Sequence, residues 1–249
     1  MEKAALKPEQ ELREIFTHMK KLIKVQEEMG LEPPPISAGA LKYLQFATSG
    51  VQNTTTGVDH VTSLEALRSY IGDCRRCRLH KGRNHLVFGE GSAQAELVFI
   101  GEGPGREEDL VGKPFVGEAG RLLTKIIENG MRLDRKAVYI CNVVKCRPPN
   151  NRDPERDEIE TCIPFLEQQL RIIKPKVVCT LGRVAGQALL GKSFKITSDR
   201  GKWYNFGDIP LMPTYHPAYL LRNLSAKHQV WEDIQKVMSQ MGLEVKRNG

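Results

Sequence analysis

Short apolar segments alternate with longer segments of helical character through most of the chain. The apolar segments are AELVFI (95–100), AVYICNVV (137–144), KVVCTL (176–181) and IPLMPTY (209–215). The segments between and after them that have helical character cover residues 119–130, 153–173, 183–191 and 226–241. Nearly continuous apolar strands joined through helices are typical of a parallel sheet covered on both faces. We therefore predict an α/β fold with a central, mostly parallel four-stranded sheet and a ligand site at the carboxyl ends of its strands.

The first sixty residues do not follow this alternation. Residues 8–29 place apolar side chains at helical spacing, which predicts one N-terminal amphipathic helix. Its apolar face could pack on the main domain, bind a protein partner or pair with another copy, and we favour packing and a monomer. Residues 31–60 have the composition of a flexible linker, which cannot build a core. We therefore expect two parts, residues 1–60 with the helix and linker, and residues 61–249 as the main domain.

The basic charge is concentrated in the main domain. The first sixty residues carry 7 Lys and Arg against 8 Asp and Glu, and the remainder carries 30 against 22. This excess is typical of a protein that binds a polyanion, although a charge of this size could also serve only solubility. The sequence has no run of 18 apolar residues and no apolar core of a signal peptide at its start. We expect a soluble cytoplasmic protein that does not enter a membrane.

A glycine-rich loop, GEGPGREEDLVGKPFVGEAG, covers residues 101–120 directly after the first predicted strand. It lacks the Gly-Lys-Ser/Thr ending of a phosphate loop, and its run of acidic residues would repel a pyrophosphate. Glycines at this density let the backbone approach a ligand and present N–H groups to it. Glu102, Glu108 and Phe115 add two acids and one flat ring. The loop therefore favours a planar heterocycle over a nucleotide phosphate.

Four of the six cysteines have the spacing of a metal-binding set. Cys74 and Cys77 form a CxxC pair, and Cys146 and Cys162 follow far downstream. Such a set suits tetrahedral zinc or an iron-sulfur cluster, and the spacing does not choose between them. The simpler alternative is four unpaired thiols, but the arginines around the CxxC pair would then leave reactive thiolates exposed. The other two cysteines lie inside apolar strands, where cysteine acts as a small buried hydrophobe.

Several motifs in a fixed order resemble one family. GEGPGREEDLVGKPFVGEAGRLL, NVVKCRPPNNRDP, the four spaced cysteines and TYHPAYLLRN together resemble the family 4 uracil-DNA glycosylases, and the match runs from about Ser63 to the C-terminus. The resemblance implies a three-layer α/β/α sandwich and a 4Fe-4S cluster on Cys74, Cys77, Cys146 and Cys162, with zinc as the alternative. It also implies uracil-containing DNA as the substrate, with hydrolysis of the N-glycosidic bond of deoxyuridine that leaves an abasic site.

The resemblance also implies roles for individual residues in the uracil pocket. Phe115 would stack on the base, and Glu108 would support its loop through hydrogen bonds. Glu102 and Gly103 would shape the pocket on the side of the attacking water. Asn142 would read the uracil edge, since its amide can donate to O4 and accept from N3–H.

The HPAYLLRN segment implies the remaining roles. His216 would stabilise the negative charge on O2 as uracil leaves. Among Tyr219, Leu220, Leu221 and Arg222, a bulky side chain would fill the gap left by the flipped base, and Arg222 would hold phosphate.

The sequence departs from efficient relatives in other branches at one position. Those relatives place an Asp in the first motif to orient water, whereas this chain offers Glu102. Either this carboxylate positions the water, or the enzyme relies on leaving-group stabilisation. Two other classes of function stay open, a non-catalytic iron-sulfur or zinc DNA-binding module that grips phosphate through residues 74–83, and an electron carrier.

Overall fold

A computed structural model describes residues 58–245. Its centre is one six-stranded sheet in the order β1-β3-β2-β4-β6-β5. The strands are β1 (Glu90–Gly91), β2 (Leu97–Gly101), β3 (Tyr139–Asn142), β4 (Val177–Leu181), β5 (Tyr204–Phe206) and β6 (Ile209–Thr214). The four central strands β3, β2, β4 and β6 run parallel, and β1 and β5 pair antiparallel at the two edges. The α/β class and the mostly parallel sheet are therefore confirmed.

The predicted number of strands was too low. The four predicted strands are the four parallel ones, and the sheet gains β1 and β5 at its edges. These edge strands span only two and three residues, too few to show a period of two in the sequence. β5 reaches β6 through a tight hairpin, in which Gly207 has a φ of 58° that favours glycine.

Helices cover both faces of this sheet. They are α1 (Leu64–Ile71), α2 (Arg106–Val111), α3 (Glu118–Lys125), α4 (Arg156–Ile173), α5 (Arg183–Leu190), α6 (Ile196–Asp199), α7 (Pro217–Arg222) and α8 (Ala226–Gln240). A π-turn (Ile126–Gly130) extends α3, so the predicted helix over 119–130 is one α-helix with a wider last turn. None of the helices in residues 58–245 is both long enough and apolar enough to cross a bilayer.

The two faces of β2 show why the fold has three layers. Phe99 packs in a cluster with side chains of α3 and α8, while Val98 and Ile100 pack in a second cluster with side chains of α4 and α5. Every residue of β2 is buried. Because successive side chains point to opposite faces, a fully apolar strand needs a helical layer on each side.

Packing of the main domain starts slightly before the predicted boundary at residue 61. Val58 is 2% exposed and packs with Leu67, Ile71 and Phe165 in a third cluster. The predicted helix over 8–29 and most of the predicted linker lie outside the described residues, so the division at residue 60 stays a prediction.

Candidate active site

A cavity of about 580 Å³ opens at the carboxyl edge of the parallel strands. Gly101 ends β2, Asn142 ends β3 and Thr214 ends β6, so the segments after them meet at this edge. The cavity brings together eight of the predicted site residues, Glu102, Gly103, Glu108, Phe115, Asn142, His216, Tyr219 and Arg222. They come from three separate segments of the sequence.

Asn142 lines the cavity, and its amide oxygen is a buried acceptor. The residue is 1% exposed, and its Oδ1 has no hydrogen-bond partner in residues 58–245. A Cβ on Gly101 would lie 2.4 Å from this oxygen, so the glycine leaves the space in which the amide sits. A buried polar atom without a partner costs roughly 1 to 3 kcal/mol. The amide is therefore held ready for a ligand at a cost to the free protein.

A buried lysine holds the main chain of Asn142. Lys145 is 1% exposed, and its Nζ donates to the Asn142 carbonyl at 2.7 Å and to Gln169 Oε1 at 2.6 Å. Gln169 Nε2 in turn donates to the Tyr139 hydroxyl at 2.9 Å. The sequence analysis missed this network, because nothing in the residue types marks Lys145 as buried. The network fixes the main chain at the end of β3 and thereby the position from which the Asn142 side chain extends.

The Phe115 ring forms one wall of the cavity. Glu108 Oε1 accepts hydrogen bonds from the backbone of Val116 at 3.0 Å and Gly117 at 2.9 Å, which matches its predicted support of the loop. The ring lies across Gly101, where a Cβ would be 2.6 Å from the Phe115 Cζ. Its centroid is 5.5 Å from that of the His216 ring. The ring can take this position only because Gly101 has no side chain.

His216 is a neutral hydrogen-bond donor at the start of α7. Its Nδ1 accepts from the backbone N–H of Ala218 at 3.1 Å, which leaves the ring hydrogen on Nε2. Burial lowers the pKa of His216 to about 4, and the negative charge of Glu108 opposes this shift. The ring therefore stays uncharged near neutral pH and can donate one hydrogen bond from Nε2.

Glu102 follows the last residue of β2 and is a carboxyl that titrates near neutrality. Burial, together with the charge of Asp153, raises the pKa of Glu102 to about 7, and the charge of Arg183 opposes this shift. Asp153 also lines the cavity and pairs with Arg183. Sequence reasoning passed over Asp153, although it lies in the NNRDP motif. Asp153 and Arg183 thus place a negative and a positive charge near Glu102, and neither residue belongs to the glycine-rich loop.

The rim of the cavity carries both apolar and basic side chains. Tyr219 is 41% exposed, Leu221 is 36% exposed and Arg222 is also exposed, so all three side chains are accessible from solvent. Leu220 is only 1% exposed and packs in the core with Phe115, because its position in α7 turns it inward. This burial removes Leu220 from the predicted DNA contacts. Leu224, which the sequence analysis did not select, is 66% exposed just after α7.

Comparison with known proteins assigns this cavity to a family. The model of the uracil DNA glycosylase superfamily matches residues 88–235. The chain belongs to the uracil-DNA glycosylase superfamily. It is 46% identical over 183 residues to a type-4 uracil-DNA glycosylase of Sulfurisphaera tokodaii, a match over 70% of this chain and 83% of the relative. It is also 47% identical over 181 residues to a type-4 uracil-DNA glycosylase of Thermotoga maritima, over 71% of this chain and 93% of the relative.

This superfamily member has a second, smaller cavity on the α4 side of the sheet. All four cysteines of the predicted metal set line it, Cys74, Cys77, Cys146 and Cys162. Backbone and side-chain donors surround their sulfur atoms: Arg83 Nη1 lies 3.1 Å from Cys146 Sγ, and Arg76 Nη1 lies 3.3 Å from Cys74 Sγ. In residues 58–245, no three His, Cys, Asp or Glu side chains are placed to hold a single metal ion. The four thiols line the same small cavity, while Cys141 and Cys179 are buried in strands as predicted.

Arginines beside the CxxC pair are largely neutralised by acids. Arg75 pairs with Asp73 at 3.1 Å, and Arg83 pairs with the same carboxylate at 2.6 Å. Arg78 pairs with Asp157 at 2.6 Å, at the start of α4. Acids therefore balance part of the positive charge of this segment, while the Arg75 and Arg78 side chains stay exposed.

Proposed function

We propose that the protein hydrolyses the N-glycosidic bond of deoxyuridine in DNA, releasing uracil and leaving an abasic site for base excision repair. One observation carries the proposal: the buried, unpaired Asn142 amide oxygen lies in the same cavity as the Phe115 ring and the neutral His216. The names of the type-4 relatives support it.

Base recognition falls to Asn142 and Phe115. Uracil offers an N3–H donor beside its O4 acceptor, so the amide oxygen of Asn142 would accept from N3–H and its NH₂ group would donate to O4. The free protein leaves that oxygen unpaired, so uracil supplies its missing donor. Phe115 would lie against the face of the flipped base, where stacking adds apolar contact without regard to the base edge.

His216 would stabilise uracil as it leaves. As the glycosidic bond breaks, the bonding electron pair stays on uracil and negative charge develops on O2. A hydrogen bond from the neutral Nε2–H would stabilise this anion, and a preorganised donor of this kind is typically worth about 2.7 to 4 kcal/mol of barrier lowering. The low pKa of His216 suits this role, because the ring donates without first giving up a proton.

Glu102 would accept a proton from the attacking water. Water attacks the sugar carbon and loses a proton, and the Glu102 carboxylate is the group in the cavity whose pKa, about 7, suits a proton acceptor near neutral pH. Asp153 raises this pKa through its charge. The Glu that replaces the Asp of other branches would thereby position the attacking water.

Contact with DNA falls to the exposed residues of the rim. Arg222 would hold a phosphate, and Tyr219, Leu221 or Leu224 would fill the gap that the flipped base leaves in the helix.

The donor set of the second cavity, four thiols with N–H groups directed at sulfur, fits a 4Fe-4S cluster held by Cys74, Cys77, Cys146 and Cys162. Such a cluster would tie the segment after α1 to the end of β3 and to α4.

Zinc is the alternative occupant, and metal analysis separates the two. A brown protein with about four iron and four sulfide per chain supports the cluster. Colourless, folded protein that contains zinc after purification without oxygen would contradict it.

The non-catalytic alternative gains little support from the structure. A module that grips phosphate through residues 74–83 would depend mainly on Arg76 and Lys81, because Arg75, Arg78 and Arg83 are paired with acids. An electron carrier would have no use for the unpaired amide of Asn142, which lines a cavity separate from the cysteine cavity.

Incubation with a uracil-containing oligonucleotide followed by alkali tests the proposed function. Strand cleavage at uracil, and none with the matching thymine oligonucleotide, is the expected result. Binding of the oligonucleotide without cleavage would favour the non-catalytic module.

A further inference from the structure

Arg135 is a partly buried cation that binds neutral oxygen atoms. Its Nη2 donates to the carbonyls of Pro114 at 2.9 Å and Phe115 at 3.1 Å, and its Nη1 donates to Thr124 Oγ1 at 2.9 Å. No Asp or Glu of the described chain forms an ion pair with it. A guanidinium carries five N–H donors in a rigid fork, so it can fix several acceptors in one arrangement.

The acceptors belong to the loop that carries the base-stacking ring. Phe115 has a φ of 52°, a left-handed backbone conformation that residues other than glycine rarely adopt. Its main chain lies directly on α3, because a Cβ on Gly120 would be 2.0 Å from the Phe115 carbonyl carbon. Thr124, one turn further along α3, donates to the Gly120 carbonyl at 3.0 Å. Arg135 thus joins the unusual peptide of Phe115 to the helix that supports it.

The same peptide is held from its other side by Glu108. This carboxylate accepts from the backbone N–H groups of Val116 and Gly117, while Arg135 donates to the two preceding carbonyls. The two charged groups therefore bracket Phe115, one on its C-terminal N–H groups and one on its carbonyls. From this main chain the ring extends across Gly101 and lies beside His216.

We infer that Arg135 is a positioning residue for uracil recognition, which fixes the Phe115 ring in its stacking orientation without contacting the base. The inference rests on the proposed function, because uracil excision is the reaction that it would change. The competing interpretation is that Arg135 only stabilises the domain.

Single-turnover excision over a range of enzyme concentrations separates the two interpretations. Arg135→Met keeps the length of the side chain and removes its donors, so we expect the enzyme concentration for half-maximal rate to rise about tenfold, since two or more hydrogen bonds to a charged group are lost. The maximal rate should change by less than about threefold. Arg135→Lys, which retains donors, should recover part of the loss. Lys136→Met, at the exposed neighbouring position, should match the unmodified protein.

A double-mutant cycle with Phe115→Ala makes the test specific. If Arg135 acts through the ring, Arg135→Met should have almost no further effect on excision in the Phe115→Ala background. Equal effects of Arg135→Met in both backgrounds would overturn the inference, and so would an unchanged half-maximal concentration in the single variant. If Arg135→Met does not fold, Arg135→Lys in both backgrounds gives the same comparison. Failure of the unmodified protein to excise uracil would instead refute the proposed function.

Discussion

The two cavities of this protein differ in whether their polar atoms have hydrogen-bond partners within the described residues. In the strand-end cavity, Asn142 Oδ1 is buried without a partner among residues 58–245, and no hydrogen bond within those residues uses the Nε2–H of His216. Around the cysteine cavity, the arginines are already engaged: Arg83 donates to Cys146 Sγ and to the Cys74 carbonyl and pairs with Asp73. The polar atoms of the first cavity are available to a ligand, whereas those around the second are already used in hydrogen bonds and ion pairs within the protein. We therefore expect substitutions in the first to lower activity and substitutions in the second to lower stability.

Asn142→Ala should give the largest effect and little loss of stability. Uracil loses its edge contacts, so excision should fall by about a hundredfold or more. The free energy of unfolding should not fall, because the substitution removes an unpaired buried oxygen. Excision kinetics and thermal unfolding check both parts, with Asn205→Ala at an exposed position as the control. A large drop in melting temperature would erase the contrast between the two cavities.

Cys146→Ala should show the reverse pattern. The side chain is 6% exposed and lines the cysteine cavity, so we expect loss of iron, loss of visible absorbance and poor solubility. Cys179→Ala removes an equally buried thiol from β4 and serves as the matched control, since it should keep its iron. Metal analysis together with thermal unfolding measures the difference. Full iron content in folded Cys146→Ala would remove this cysteine from the ligand set.

The sequence was sufficient for the parts of the fold that depend on local patterns. The central strand β2 is apolar on both faces, so its burial between two helical layers followed from composition alone. The motifs then placed Asn142 and His216 at strand ends.

Features that depend on three-dimensional packing could not be predicted in this way. The inward turn of Leu220 depends on the phase of a helix of only six residues, in which Leu221 is an equal candidate from sequence. Lys145 and Arg135 are surface residue types whose burial comes from distant partners, Gln169 and the Phe115 loop. Val58 lies in a segment of linker composition and is buried by α1 and α4.

The pH dependence of excision sharpens the role of Glu102. In the proposed mechanism the carboxylate form of Glu102 is the active one, and the pKa of Glu102 is about 7, so the rate should rise with pH and level off above 7. At pH 6 we expect about a tenfold lower rate than on the plateau. His216, with a pKa of about 4, stays neutral throughout this range and adds no second step.

Glu102→Gln should remove this pH dependence, and Glu107→Gln, at an exposed position of the same loop, should keep it. A wild-type rate that does not change between pH 5.5 and 8.5 would exclude the carboxylate as the water-positioning group.

Removal of the N-terminal segment should have the smallest effect on excision. A chain that starts at Thr55 should retain its activity, because the cavity lies wholly within residues 102–222. A chain that starts at Val61 should also be active but less stable by about 1 to 3 kcal/mol, since it loses the buried Val58 side chain and the Asp59–Arg171 ion pair. Activity assays and thermal unfolding of the two truncations check this. Loss of most activity in a folded chain starting at Thr55 would give residues 1–54 a part in catalysis.

The most direct test of the account is the choice between uracil and cytosine by Asn142. Cytosine presents an N3 acceptor and an N4 amino donor, so it meets the Asn142 amide with donor facing donor and acceptor facing acceptor. Excision from matched oligonucleotides with deoxyuridine or deoxycytidine at one position should show strong preference for uracil in the unmodified protein. Asn142→Asp should narrow that preference, because a carboxyl accepts from N4 and, when protonated, donates to N3. An unchanged preference and rate in Asn142→Asp would contradict the claim that this unpaired amide reads the base.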